Sequence, residues 1–285
     1  MDDTVVVLGS ANADLVVAVP ARPAGGETAL GSDVQTIPGG KGANTAVAAG
    51  RLGAPVAFVG ALGTDANGDL LLDSLRSAHV DTTRVRRVDR PTGTAFITVT
   101  PDGENSIVVS PGANAALTPE DVDLTGAAVL VASLEIPLPV VEHAVALAAA
   151  GGVRPVLNLS PVADLSPRTL AALDPLVVNE HEAHALTGGT GDLLALGPRT
   201  AIITRGPRGA RVLTPGGTTD IPAPAVAAVD TTGAGDAFAG ALAASLATGT
   251  TLEDAARTAV LVAAISVTRP GAQPSYPTAA ELAQG

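Results

Sequence analysis

Val229-Asp230-Thr231-Thr232-Gly233-Ala234-Gly235-Asp236-Ala237-Phe238 places two glycines directly ahead of an Ala/Leu-rich helical pattern over residues 237–247. Glycine frees the backbone from Cβ sterics. The first amides of a helix lack an intrahelical acceptor, so such a start makes an anion site that the macrodipole reinforces. Into that positive pocket the sequence sets one carboxylate, Asp236. A phosphate cradle beside a proton acceptor points to phosphoryl transfer onto an alcohol. Taken alone, Gly-Ala-Gly-Asp reads more simply as a turn whose carboxylate complements the helix dipole. The rest of the chain decides between the two.

The 285 residues are 46% hydrophobic but include only three Phe and one Tyr, so Ala, Val and Leu must build the core. That composition suits buried Val/Ile/Leu strands covered by Ala-rich helices, in one large domain or a domain with a small appendage. The net charge of -12 argues against nucleic acid as a partner. Without cysteine there is no disulfide framework, thiolate chemistry or Cys-ligated metal. The acidic start Met1-Asp2-Asp3 does not resemble a signal peptide, and no apolar run is long enough to span a bilayer. A cytoplasmic protein with no membrane partner is expected by elimination.

Outward from the glycine stretch, the second half of the chain alternates strand and helix. Strands are expected at 128–133, 155–159, 175–178 and 201–204, helices at 138–150, 166–172, 180–186 and 252–266, and a hairpin at 212–221. The first half adds strands at 4–8 and 56–60 and helices at 43–52 and 68–78. Such alternation predicts a parallel sheet with helices on both faces. Strands at 15–19 and 28–36, and the hairpin 94–100/104–110, break the rhythm. They predict a small β appendage over one edge of a single 1–285 domain, a lid drawn from about 13–37 and 93–111. In open parallel sheets ligands sit at the carboxyl ends of strands, and residues 9–14, Glu135, Asn158, Asn179 and Gly206 all follow strands.

Familiar alternatives fail on spacing. Gly39-Gly40-Lys41-Gly42 lacks the P-loop pattern, and Phe238 stands where a dinucleotide fingerprint needs its third glycine. There is no Gly-x-Ser-x-Gly elbow. His181 and His184 stand three apart rather than four, so the zinc-protease helix is absent. A metal-dependent hydrolase built on them is the most distant reading.

Taken together, the motifs resemble the PfkB family of carbohydrate kinases, and within it the ribokinase branch. The resemblance rests on Gly9-Ser10-Ala11-Asn12-Ala13-Asp14-Leu15, Gly39-Gly40-Lys41-Gly42-Ala43-Asn44, and Gly112-Ala113-Asn114-Ala115-Ala116-Leu117-Thr118. Asn179-Glu180-His181-Glu182, residues 230–238 and Gly271-Ala272-Gln273-Pro274-Ser275 complete it. It implies a ribokinase-like three-layer α/β sandwich with a central mostly parallel sheet and a small β lid. It also implies ATP-dependent phosphorylation of the ribose 5-hydroxyl, and a homodimer formed through the lid. By the same resemblance Asp236 is the base, and the amides of Gly233, Ala234 and Gly235 are the anion hole. Asn12, Asp14, Gly40, Lys41, Asn44 and Glu135 contact the sugar. Thr204, Arg205, Gly206, Pro207, Arg208 and Gly209 form the nucleotide loop beside Asn179, Gly235 and Asp236.

Asn179 and Glu182 are implied to hold Mg²⁺ through water. Asp230, Thr232, Ser266, Arg269, Gly271 and Ser275 are implied to hold K⁺, several through backbone carbonyls. The residues themselves leave simpler readings open. Asn12 and Asp14 suit vicinal hydroxyls but equally a capped turn. Asn44 reads as a helix-start cap, Lys41 as a solvated charge, and Asn179 with Glu182 as a capping box. Two departures from the family stand out: only residues 189–199 precede the strand at Thr200, and Ala259 takes a place where relatives present a polar group to adenine. A sibling kinase for 2-deoxyribose, a nucleoside or a ketohexose is the nearest alternative, and a non-catalytic sugar sensor the one of a different class.

Overall fold

Residues 4–8, Thr-Val-Val-Val-Leu, show no polar alternation, which marks a strand buried on both faces. The computed structural model describes residues 3–189 and 192–283 and bears this out for that strand. Residues 1–2 and 284–285 of the expected domain, and 190–191 of the short 189–199 segment, lie outside the described residues.

The chain opens with β1 (Thr4–Leu8), β2 (Asn12–Ala18), β3 (Gln35–Gly39), α1 (Lys41–Arg51), β4 (Val56–Gly63) and α2 (Ala66–Ser77). Next come β5 (Val80–Asp81), β6 (Val85–Val88), β7 (Gly93–Val99), β8 (Asn105–Ser110), β9 (Ala127–Ser133) and α3 (Leu138–Gly151). The series continues with β10 (Arg154–Asn158), α4 (Pro167–Ala172), β11 (Leu176–Asn179), α5 (Glu180–Thr187) and β12 (Ala201–Thr204). It closes with β13 (Ala210–Thr214), β14 (Gly217–Ile221), α6 (Ala234–Ala247), α7 (Leu252–Ser266) and α8 (Ala279–Leu282).

The main sheet runs β14-β13-β12-β11-β10-β9-β1-β4-β5, with β6 pairing β4. It is parallel from β12 to β5, and the β12-β13-β14 end is antiparallel. Alternate residues of β1 feed two cores: Val5 and Val7 pack on the side of α1, α6 and α7, and Val6 and Leu8 on the side of α3. The strand order reverses at β1, whose neighbours β4 and β9 leave in opposite senses. That switch point opens a crevice at their carboxyl ends.

A second sheet, β3-β2-β7-β8, rises from this crevice. Asp65 anchors its base, accepting from the Gly68 amide of α2 at 2.8 Å and from the Thr92 amide at 2.8 Å. Its distal strands stay apolar and uncovered, with Val108 68% exposed and Phe96 and Ile107 each 52% exposed.

Four elements differ from the sequence reading. Residues 28–34 form no strand, because β2 ends at Ala18 and its ladder to β3 begins only at Val16 opposite Gln35. A hydrogen bond from the Ala18 amide to the Ser32 hydroxyl replaces the ladder there. Pro38 is accommodated because β3 is an edge strand. Finally, α6 starts at Ala234 rather than 237, so the glycine stretch is itself the first helical turn. The short strands β5 and β6 carried no sequence signal of their own.

Candidate active site

Helix α6 is buried nearly all round, and its small residues let α1 lie directly against it. A Cβ at Gly240 would stand 2.5 Å from the Thr45 carbonyl oxygen of α1. This crossing brings the first turns of the two helices together under the crevice. Gly233 caps α6 at φ 72°, a left-handed conformation that glycine adopts without strain. The Tyr276 hydroxyl donates to the Gly233 carbonyl at 3.1 Å from beneath.

Of the amides in this turn, that of Ala234 is already engaged by the Thr231 carbonyl at 3.2 Å. No backbone acceptor among the described residues takes the amides of Gly233, Gly235 or Asp236. The open donors therefore extend one residue further along the helix than the expected Gly233–Gly235 set.

Asp236 is 6% exposed and accepts from Asn44 Nδ2 at 2.9 Å. Burial pushes its carboxyl up to about 6, opposed by Lys41 and the Asn44 hydrogen bond and assisted by Glu135. At neutral pH it is an ionised acceptor with a raised proton affinity, which suits a general base. Asn44 is thus not a helix cap: α1 has no side-chain cap, and Asn44 lies buried inside its first turn.

Sugar-side candidates converge from separate strands. After β1, Ser10 Oγ donates to Glu135 Oε2 at 2.6 Å, and the Lys41 amide reaches the same oxygen at 3.4 Å. Asn12 Oδ1 accepts from Asn114 Nδ2 at 2.7 Å, and Asn114 Oδ1 accepts from the Ala11 amide at 3.0 Å. Burial raises Asp14 to about 7, with Glu135 and Asp236 adding repulsion. Gly39 is required against it, since a Cβ there would sit 2.1 Å from Asp14 Oδ2. Gly40, at φ 89°, likewise fits under the Asn12 amide. Three carboxylates and two amides around one crevice form a hydroxyl-binding surface with Lys41 as its cation.

From Lys41 and Asp236 a cleft of about 1020 Å³ runs to the β12–β13 connection. It brings Asn179, Glu182, Thr204, Gly206, Pro207 and Gly209 to one wall. Arg205 and Arg208 are not on it, their guanidinium groups pairing with Asp220 and Glu180. The opposite wall is apolar, built from Val226, from Val260, Ala263 and Ala264 on α7, and from Val267 directly after it. Ala259 is not part of this wall. It faces the core at 0% exposure, one position out of phase with the cleft stripe.

Asn179 and Glu182 do form the capping box, at 2.7 and 2.9 Å. Among the described residues no three His, Cys, Asp or Glu side chains group as a direct metal site, and His181 and His184 are both exposed. Asp230 accepts from the Thr232 amide at 2.9 Å and the Gly271 amide at 2.8 Å. It thereby ties the loop before α6, which carries Thr232, to the 266–275 segment, which carries Ser266, Arg269, Gly271 and Ser275.

Sequence reasoning did not single out Ser10, Asn114, Gln273 or Tyr276 as site residues. Ser10, Asn114 and Gln273 lay inside quoted motifs, but only the fold shows what they touch.

The chain was also compared with known proteins. Residues 2–279 match the model of the pfkB family carbohydrate kinases. A ribokinase from Haemophilus influenzae is 40% identical over 99% of this chain and 97% of its own length. The crystal structure of ribokinase from Thermotoga maritima has a TM-score of 0.92 at 34% identity, covering 99% of this chain and 98% of that one. The structure of Arabidopsis thaliana ribokinase complexed with ribose and ATP has a TM-score of 0.91 at 32% identity, covering 99% and 97%. By sequence and fold, the chain belongs to the pfkB family of carbohydrate kinases.

Proposed function

We propose that this protein transfers the terminal phosphoryl group of ATP to the 5-hydroxyl of D-ribose, giving ribose 5-phosphate and ADP. The observation that carries the reading is the place of Asp236, buried between the open amides of the α6 turn and the Asn44 amide. A sugar held by Asn12, Asp14, Asn44 and Glu135 presents a hydroxyl to this carboxylate. A terminal phosphoryl group at the amides of Gly233 and Gly235 then faces the same hydroxyl oxygen.

In the reaction the new O–P bond forms as the bond to ADP breaks, and Asp236 takes the hydroxyl proton late. Holding both reactants in one geometry supplies much of the rate, and Lys41 and the helix amides offset charge on the equatorial oxygens. The likeness to ribokinases over nearly the whole length supports ribose as the acceptor. The purine lies between the apolar α7 stripe and the Gly206–Gly209 connection.

Magnesium bound with the nucleotide would supply charge neutralisation on the phosphates, and Asn179 and Glu182 would hold it through water. Asp230, Thr232, Ser266, Arg269, Gly271 and Ser275 would hold a monovalent cation beside the α6 turn. The four-stranded sheet acts as a lid over the sugar, and its uncovered apolar strands pair with a second copy of the chain to make a homodimer.

The test is Asp236→Asn. It keeps the volume and the Asn44 contact but removes the base, so kcat falls roughly 10²- to 10⁴-fold while nucleotide binding persists. Near-normal turnover defeats the base assignment. A panel of ribose, 2-deoxyribose, nucleosides and ketohexoses, followed by ADP release, checks the acceptor. Preference for another sugar replaces ribose, and no ADP release with any of them favours a sugar sensor.

A further inference from the structure

Behind Asp236 and the sugar contact Asn44 a line of polar side chains continues through buried Gln273 to half-buried Ser74, neither of which is among the sugar or nucleotide contacts. Asn44 Nδ2 donates to Asp236 Oδ2 at 2.9 Å, Gln273 Nε2 donates to Asn44 Oδ1 at 3.0 Å, and Ser74 Oγ donates to Gln273 Oε1 at 2.5 Å. Gln273 is 3% exposed and Asn44 6%. They come from four places in the fold: Ser74 from α2, Gln273 from the segment after α7, Asn44 from α1 and Asp236 from α6.

The direction of this line is forced by chemistry. An ionised carboxylate only accepts, so Asn44 must present its NH₂ to Asp236. Its oxygen then faces Gln273, which must answer with its own NH₂. The Gln273 oxygen is left to accept, and the Ser74 hydroxyl is the donor that meets it. Reversing any amide sets two oxygens or two NH₂ groups against each other. A buried amide left to turn freely would also lose a partner at a cost. The line is thus a fixed-polarity brace, with a hydroxyl at one end and the base at the other.

We infer that Gln273, held by Ser74, is a positioning residue for phosphoryl transfer: it locks the Asn44 amide so that its NH₂ always faces Asp236. The inference rests on Asp236 being the base. The locked amide favours the ionised carboxylate and fixes the oxygen that takes the sugar proton. Other charged groups facing Asp236 are Lys41 from α1, Glu135 after β9, Asp14 on β2, and the titratable Tyr276 hydroxyl below. None of them belongs to the line, so its removal leaves their contributions in place.

The experiment compares the pH profile of kcat with ribose for the parent, Gln273→Met, Ser74→Ala and Ser74→Thr. It adds a ¹³C titration of the Asp236 carboxyl in the free protein, identified by its absence in Asp236→Asn. Gln273→Met keeps the length and removes the amide. It is expected to move the acid limb of kcat and the ¹³C midpoint to higher pH by about one pH unit. Turnover then recovers toward the parent value in alkali. Ser74→Ala moves both by a smaller step in the same direction, and Ser74→Thr, which keeps the hydroxyl, restores the parent profile.

Limbs and midpoints that superimpose on the parent's, with kcat lowered by one factor at every pH, overturn the inference. Ser74→Ala alone decides the matter if Gln273→Met does not fold. Normal turnover in Asp236→Asn removes the base itself. An inert Asp236→Asn with unmoved limbs in the other variants removes only the brace.

Discussion

Asp14→Asn should make the sugar-free protein more stable, and only at neutral to alkaline pH. No described residue donates to the Asp14 carboxyl, and burial with Glu135 and Asp236 nearby raises it from 3.8 to about 7. A carboxyl that binds its proton more tightly folded than unfolded carries no penalty below pH 3.8. The penalty grows as the pH rises and is complete above about 7. At about 1.4 kcal/mol for each pH step, the span corresponds to about 4 kcal/mol. Solvent reaches part of this side chain, and screening by water brings the expected effect to about 2 kcal/mol.

For a 285-residue chain that corresponds to roughly 3 °C in Tm. The assay is thermal unfolding followed by circular dichroism, without sugar or nucleotide, at about pH 8 and about pH 5. The variant should melt about 3 °C higher at the first pH. The advantage should fall to about a third at the second, where only the stretch between 3.8 and 5 contributes. It should also lose the stabilisation that ribose gives the parent. A variant that melts lower at pH 8, or whose gain is the same at both pH values, refutes the claim that an unpaired buried charge at Asp14 is retained for sugar binding.

The same reasoning reaches the scaffold. Gly240→Ala places a Cβ 2.5 Å from the Thr45 carbonyl oxygen and 2.8 Å from Ala48 Cβ, where neither backbone can yield. It should destabilise by about 1–3 kcal/mol, read as a fall of roughly 2–5 °C in Tm; an unchanged Tm would show that α1 and α6 are not held by this contact. At the four-stranded sheet, Val108→Lys puts a charge on the most exposed large hydrophobic residue of the β7–β8 pair. Sedimentation should find a monomer for it and a dimer for the parent, and a dimer in both would place the interface elsewhere.

Much of the architecture was legible because each decisive pattern was local. The unbroken apolar runs at 4–8, 128–133 and 201–204 could only be strands covered on both faces, and all three are. Asn179 with Glu182 forms the capping box that residue chemistry suggested, whereas the cap suggested at Asn44 does not form. Residues 28–34 misled because β propensity was counted without a ladder: beside Ala18 the segment makes one backbone bond, from the Ser32 amide, and one through the Ser32 hydroxyl, and the regular pairing covers only Asn12–Val16 with Gln35–Gly39. The start of α6 was set too late because glycines lower helix propensity, whereas here Gly233 turns the chain and the helix begins at once.

By itself the sequence determined which groups this protein has to work with: an Asp behind a glycine-released turn, polar residues after successive strands, and a core of small aliphatic side chains. Those are properties of neighbours in the chain, and spacing reports them. Only the tertiary structure decided that Asn44, from 192 positions away, holds Asp236, that Gln273 in turn holds Asn44, and that Ala259 looks into the core while Val260 looks into the cleft. Contacts between distant segments depend on how closely helices cross and on which face each presents. Both are settled when α1 packs on Gly240, and no local pattern records them.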